Sequence, residues 1–409
     1  MSNVFIRPVI KYLHDMKILR VLLVLLLAGC GGATAPAPSP TASPVAEVSP
    51  TPTPVVPLMN GFPTGFAPCA GNAKTVKQAA YNCLRDWKPG PHPPATLVYH
   101  FSPSVSTRMQ NKVKQAAEFT LDYATPTLKL LGYAPTYHIF VNEEGVESAA
   151  GRAWCKQAAL SYAGTATQDW IWNRPEQSSG PCTTAGAGGR GIPSTIPGHA
   201  AAWITKGPYG WAGGEDFWVF EVLPGELWAV DHQYFETIVP DAPGVQDVVQ
   251  RWVQYLGFVA GGAAGVQLLG QDVEARHARI WEHEYWGNRA VTWQPTYHGW
   301  LCPGFSNSLR ARSCGVEQDL PAAEAALPWN YTLYNYAREY VLAKFGPAWI
   351  QEQLWPALAA EYGGQNSDYY EEMDRVAYRL WGGTWSDIEE ALDTYLISEL
   401  KAEGFSGLK

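Results

Sequence analysis

From Gly31 to about Pro57 the chain is almost wholly Ala, Pro, Ser, Thr and Val, with Ser49-Pro50-Thr51-Pro52-Thr53-Pro54 as its most regular stretch. Such a segment has too few large apolar side chains to offset the entropy lost on ordering. It is predicted to run as a semi-extended polyproline spacer that adds nothing to a core. Folding is thereby confined to the residues from about Met59 to Lys409, a span long enough for one large domain or two close-packed ones. No internal repeat and no second linker interrupts it.

Ahead of the spacer, Lys17 and Arg20 precede an apolar run from Val21 to Leu27 and then Leu27-Ala28-Gly29-Cys30. This layout resembles a bacterial lipoprotein signal. A basic end stays at the cytoplasmic face, a short apolar core enters the bilayer, small residues admit a peptidase, and the freed Cys30 is acylated. The run falls short of the about 20 residues a lasting span needs. Met1 to Asp15 adds nothing a signal requires, so Met16 serves equally as a start. The expected organisation is a signal peptide over 1–29, a lipidated cysteine and Pro/Ser/Thr-rich linker over 30–58, and a folded domain over 59–409. Its expected location is extracytoplasmic, held to the cell membrane or cell surface by the lipid.

Of seven cysteines, six remain once Cys30 is set aside, an even number that an oxidising compartment pairs. Sequence order suggests Cys69 with Cys83, Cys155 with Cys182 and Cys302 with Cys314, among the about 15 pairings that six cysteines allow. Each short loop is expected to add on the order of 3 kcal/mol. No C-x-x-C spacing occurs, which argues against a cysteine zinc site. The whole chain carries a formal charge of −9, and losing Arg7, Lys11, Lys17 and Arg20 together with Asp15 removes three net positive charges, leaving about −12. An acidic balance without a basic cluster argues against a nucleic-acid partner and against electrostatic adhesion to anionic lipid.

Thr96 to Phe101, Tyr137 to Val141, Ala201 to Thr205 and Phe217 to Val222 read as strands. Between the first two, a helical stripe of Val113, Ala116, Ala117, Leu121, Leu128 and Leu131 starts near Ser104 or Ser106, is kinked at Pro126 and stops at Gly132. After Pro224 the pattern turns helical, with Val245, Val248, Val249, Trp252, Val253, Leu256, Val259 and Ala260 on one face. Asn330 can cap a helix ending at Gly346, Pro347 can open the next, and Ser386-x-x-Glu389 reads as a capping box for the last. Strands to about residue 223 and helices from about 224 mean an α+β fold, a small mixed sheet with helices followed by a helical C-terminal half.

The helix predicted after Pro224 carries Asp231-His232-Gln233-Tyr234-Phe235-Glu236, followed downstream by Trp252. The layout resembles the gluzincin kind of zincin metallopeptidase, in which H-E-x-x-H places two histidines on one helical face to hold zinc and the intervening glutamate is the general base. Laid on that pattern, His232 matches the first histidine, Gln233 stands where the base belongs and Glu236 where the second histidine belongs. Where the family tends to read W-L-x-E-G-x-A-x-Y, this chain reads Trp252-Val253-Gln254-Tyr255-Leu256-Gly257-Phe258-Val259-Ala260, so Tyr255 replaces the third ligand. Tyr334, in Tyr334-Asn335-Tyr336-Ala337, matches the transition-state tyrosine of related aminopeptidase-like enzymes. What the resemblance implies is a zincin-like fold.

Chemistry then bears on activity. A glutamine amide has no accessible pKa with which to take a proton from water, and a zinc peptidase needs three protein ligands where the matched positions offer His232 and Glu236 at most. The expectation is therefore a metallopeptidase-like domain without peptidase activity or metal cofactor, binding peptide or protein. In the bland reading His232 and Glu236 form a partly buried pair on a stripe with Trp228, Phe235 and Val239. One alternative is an active zinc enzyme whose ligands are His232, Glu236 and a residue still to be placed. Another is a protein that binds or cleaves glycans, suggested by 18 tryptophans whose faces would stack on sugar rings. Glu282-His283-Glu284-Tyr285-Trp286, preceded by His277, starts like a zinc motif but puts Gly287 at the second histidine. Glu215, Asp216, Glu221 and Glu226 are carboxylates from which a glycosidase pair could be drawn by chance.

Overall fold

The computed structural model describes residues 61–163, 182, 188–193, 199–207, 210–211, 214–227, 231, 234–235, 255–282, 330–361 and 369–402. Near the start, Thr75 accepts a hydrogen bond from the Gln78 amide and so caps α1 (Val76–Asp86). The disulfide Cys69–Cys83, one of those expected, ties the segment before α1 to its third turn. Strand β1 (Thr96–Phe101) comes next, and then α2 (Thr107–Tyr123), capped by Ser106, whose hydroxyl accepts from the Met109 amide.

Pro126 ends one helix and opens another instead of kinking one. α2 stops at Tyr123, and α3 (Thr125–Leu131) begins with the proline in its first turn, where the missing N–H costs nothing. The Asp122 carbonyl, which an amide at 126 would have served, accepts from the Thr125 hydroxyl at 2.7 Å. Gly132, at φ 69°, closes α3 in the left-handed conformation that a side chain resists.

Next come β2 (Thr136–Asn142), α4 (Ala149–Ala163), β3 (Gly188–Pro193) and β4 (His199–Thr205). The sheet order is β1-β2-β4-β3, with β1, β2 and β4 parallel and β3 antiparallel to β4. Alternation along β2 sends Tyr137, Ile139 and Val141 into the main core and His138 and Phe140 to the opposite face. On that second face Phe140, Ala201 and Trp203 meet Ala158, Ala159 and Tyr162 of α4 and the Cys155–Cys182 disulfide, again as expected. A sheet covered on both faces explains why β2 and β4 read as nearly unbroken apolar runs. The expected pair Cys302–Cys314, the expected acylation site at Cys30 and the expected linker lie outside the described residues.

The strand expected over Phe217 to Val222 is helical. Residues 215–226 form one helix, α5, built as Glu215–Phe217, a π-bonded turn Trp218–Val222, and Leu223–Glu226. The boundary between strand-rich and helical parts therefore moves back from 224 to 215. Phe217 to Leu223 are all buried, and a short run that is apolar at every position but Glu221 carries neither the period of a strand nor that of a helix. Helix α6 (Tyr255–Gln267) lies against α5 so closely that a Cβ at Gly257 would stand 2.2 Å from the Gly225 Cα, and one at Gly261 2.8 Å from the Glu221 carbonyl oxygen.

The rest is helical: α7 (Val273–Glu282), α8 (Asn330–Phe345), α9 (residues 350–361), α10 (Tyr369–Trp381) and α11 (Ser386–Ala402). Gly346, at φ 88°, terminates α8 as expected, and Pro347 lies in the turn ahead of α9. The Glu389 side chain of the expected capping box lies outside the described residues, and ahead of α11 a further side chain meets the backbone. The Asp387 carboxylate accepts from the Thr384 amide at 2.9 Å and from the Trp381 indole at 2.9 Å. Thr384-x-x-Asp387 has the same spacing as the expected box. The α+β class holds, and these elements all belong to one compact unit, Pro54–Lys409.

Candidate functional site

His232, Gln233 and Glu236 lie outside the described residues, but the side chains that flank them are placed. Asp231 is 1 % exposed and accepts from the Thr127 hydroxyl of α3. Burial pushes its carboxyl up to about 7, against the opposing hydrogen bond from Thr127. Phe235 is fully buried with its ring edge-on to Trp355 of α9 at 5.4 Å, and Tyr234 stacks on the same indole at 6.0 Å. Tyr234 and Phe235 thus lie in apolar packing, and Asp231 is a buried carboxyl.

Tyr255, the residue at the third-ligand position of the resemblance, opens α6 and is fully buried. Its hydroxyl donates to the Gly346 carbonyl at 3.1 Å, across from the end of α8. Burial holds the phenol well above its usual range, so the group stays a neutral hydrogen-bond donor. Tyr334 belongs to the first turn of α8, where its side chain is not among those described, and its neighbours Asn335 and Tyr336 are buried. No protein-family model, curated protein or solved structure matches the chain.

Two histidine arrangements stand out that motif spacing did not single out as sites. The first is a hub in the helical half. His277 of α7 meets Glu339 of α8 through Nδ1 at 3.0 Å and Glu399 of α11 through Nε2 at 3.3 Å, and Tyr395 donates to Glu339 at 2.8 Å. Burial opposes a charge on the imidazole, but the hydrogen bonds to both carboxylates outweigh it and raise its pKa to about 10. His277, which precedes the Glu282-His283-Glu284 run, is thus a buried cation bridging three helices. Each ring nitrogen faces a different carboxylate, so the hub holds helices together and leaves no lone pair for a ligand.

The second is a row of imidazoles on the α4 face of the sheet. Val98 pairs with His138 and Thr136 with His199, so His100, His138 and His199 fall on a diagonal across three parallel strands. His100 Nε2 lies 3.1 Å from His138 Nδ1, and the rings of His138 and His199 stack at 6.0 Å. From α4, Tyr162 packs its ring on His138 at 4.5 Å. Burial first, and then the neighbouring His100 and His199, push His138 down to about 4, and burial lowers His100 as well. A diagonal spreads the nitrogens instead of converging them, and among the described residues no group of three or more His, Cys, Asp or Glu could hold a metal ion.

Three acidic residues of α5 are committed to cations. Glu215 pairs with Arg108 at 3.0 Å and Lys112 at 2.9 Å, and Asp216 shares Lys112. Glu221, 5 % exposed, is held by Arg276 at 3.0 Å and by the Gln271 amide at 2.9 Å. Carboxylates held by cations in this way are poor candidates for a glycosidase acid and base, which need access to a sugar.

Proposed function

We propose that this chain is a lipid-anchored extracytoplasmic protein whose zincin-like, metallopeptidase-like domain binds peptide or protein without cleaving it. The observation that carries the reading is the state of Tyr255: the position from which the family's third ligand comes is filled by a buried phenol whose proton is spent on the Gly346 carbonyl. With Gln233 unable to act as a base, the chemistry of a metal-activated water has lost two of its parts. A parallel sheet with one antiparallel strand, followed by packed helices, is compatible with such a scaffold. Against the glycan reading, no tryptophan side chain among the described residues is exposed, so none is placed to form a stacking platform. Among those residues, too, no helix is long and apolar enough to cross a membrane.

The test uses the full chain purified without chelator. It should carry no stoichiometric zinc, leave a denatured protein of known sequence intact, and retain that protein when immobilised. Chelator-sensitive cleavage would overturn the reading and restore the rearranged zinc enzyme.

A further inference from the structure

Helix α4 is held to the sheet in two unlike ways. Its N-terminal half is pinned by polar contacts: the Asn142 amide donates to the Gly151 carbonyl at 3.3 Å, the Gly151 N–H to the Ser148 hydroxyl at 2.8 Å, and the Arg152 guanidinium to the Val146 and Glu147 carbonyls at 2.8 and 2.7 Å. The C-terminal half is held by packing. There Ala158, Ala159 and Tyr162 join the small cluster around Phe140 and Trp203, and the Tyr162 ring lies on His138 at 4.5 Å and edge-on to Phe140 at 6.1 Å. The sheet separates this cluster from the main core, so it can open while the main core stays closed.

Under that half lies His138, 7 % exposed. The elements packed on it bring His100 from β1, His199 from β4 and the Tyr162 ring from α4, and among the described residues the charges acting on it are those of His100 and His199. Its Nδ1 faces His100 Nε2 at 3.1 Å, which leaves one hydrogen for two nitrogens, and its Nε2 has no hydrogen-bond partner among the described residues. A protonated His138 can still donate to His100, but its Nε2–H is then a buried charged donor without an acceptor, and any charge on His100 or His199 repels it. These penalties lapse once the ring meets water.

We propose that the imidazole row makes α4 an acid-opened flap: on protonation of His138 the C-terminal half of the helix lifts from the sheet about its pinned N-terminal half, uncovering Phe140 and Trp203 while the main core stays closed. Histidine clusters bias two-state elements in this way as pH falls below neutrality. The closed flap takes up the proton at about 4 and the open one at about 6.5, so the opening equilibrium gains about twentyfold between pH 6 and 4.5.

The test follows hydrogen exchange of the full chain by mass spectrometry at pH 6 and 4.5, with each rate divided by the intrinsic rate at that pH. Protection over residues 157–162 should fall by about twentyfold. At pH 4.5 it should stand about tenfold or more below that of α2 and α6, the mark of a local opening. Neither His138→Phe nor His138→Gln titrates at this position, so in both variants most of the fall over 157–162 should disappear. Protection there equal to that of α2 at pH 4.5 would show that α4 opens only with the whole fold and would overturn the flap. So would a parent whose protection over 157–162 is unchanged by acid, or a variant that keeps the parent's fall. The comparison within the parent needs no substitution, so it decides even where a variant unfolds.

Discussion

His138 is where acid should act on this fold. Its imidazole is held neutral to about pH 4 in the native state, against about 6.5 in an unfolded chain, because burial and the neighbouring His100 and His199 all penalise the proton. The folded pKa is the depressed one. The contribution is therefore whole above pH 6.5, shrinks as the unfolded chain gains a proton that the native state refuses, and is gone once pH falls through about 4. A gap of that size corresponds to about 3 kcal/mol, at about 1.4 kcal/mol per pH unit. Replacing His138 with Phe keeps a ring against Tyr162 and removes the titration. Urea unfolding of parent and variant, monitored by tryptophan fluorescence from pH 7 to 4.5, separates this effect from carboxylate protonation, which both proteins share. Stability of the parent should fall more steeply, by close to one proton's worth of slope between pH 6.5 and 4.5. Parallel curves for the two proteins would refute the reasoning, whatever the baseline cost of the substitution.

In the helical half, Glu339→Gln leaves the His277 imidazolium with one carboxylate and should cost about 3–5 kcal/mol in urea unfolding; a loss below about 1 kcal/mol would show that the hub does not hold the helices together. Because His277 is raised to about 10, its contribution is full below about pH 6.5 and is lost as pH climbs through about 10, so the parent should weaken in alkali more than His277→Phe does. Gly257→Ala drives a methyl into the Gly225 Cα and should destabilise by on the order of 1–3 kcal/mol, lowering the melting temperature where an ordinary helix would gain from the alanine. Replacing Cys69 and Cys83 together with Ser should cost about 3 kcal/mol, and reductant should then lower the midpoint of the parent but move that of the variant less.

What could be read in advance was local. β1, β2 and β4 are short apolar runs with turn residues at their ends, and Ser106 and Gly132 act as caps on groups within one turn of themselves. Phe217 to Val222 failed because an all-round buried run has no period to read; its helical state comes from the close approach of α6, which is a tertiary fact. His100 and His138 sat on strands read from the sequence and His199 two residues ahead of the next, yet their diagonal exists only once the order β1-β2-β4 and its register are known.

The hub was further out of reach, since 62 residues separate His277 from Glu339 and neither stands in a pattern of its own. Together the two sites bear on how the degenerate motif is to be weighed. One residue type is driven to about 4 where burial and neighbouring imidazoles penalise its proton and to about 10 between carboxylates, so a histidine's role is set by what its nitrogens face and not by its spacing. Applied to the position of His232, that rule turns attention to the groups a ligand set would need around it. The Tyr255 phenol is committed to Gly346, and the Asp231 carboxyl is held by Thr127, titrating at about 7. Under the proposed reading, a third-ligand position taken by a buried neutral phenol would not supply the charge to hold zinc and ionise its water, which is the ground for proposing binding ahead of hydrolysis.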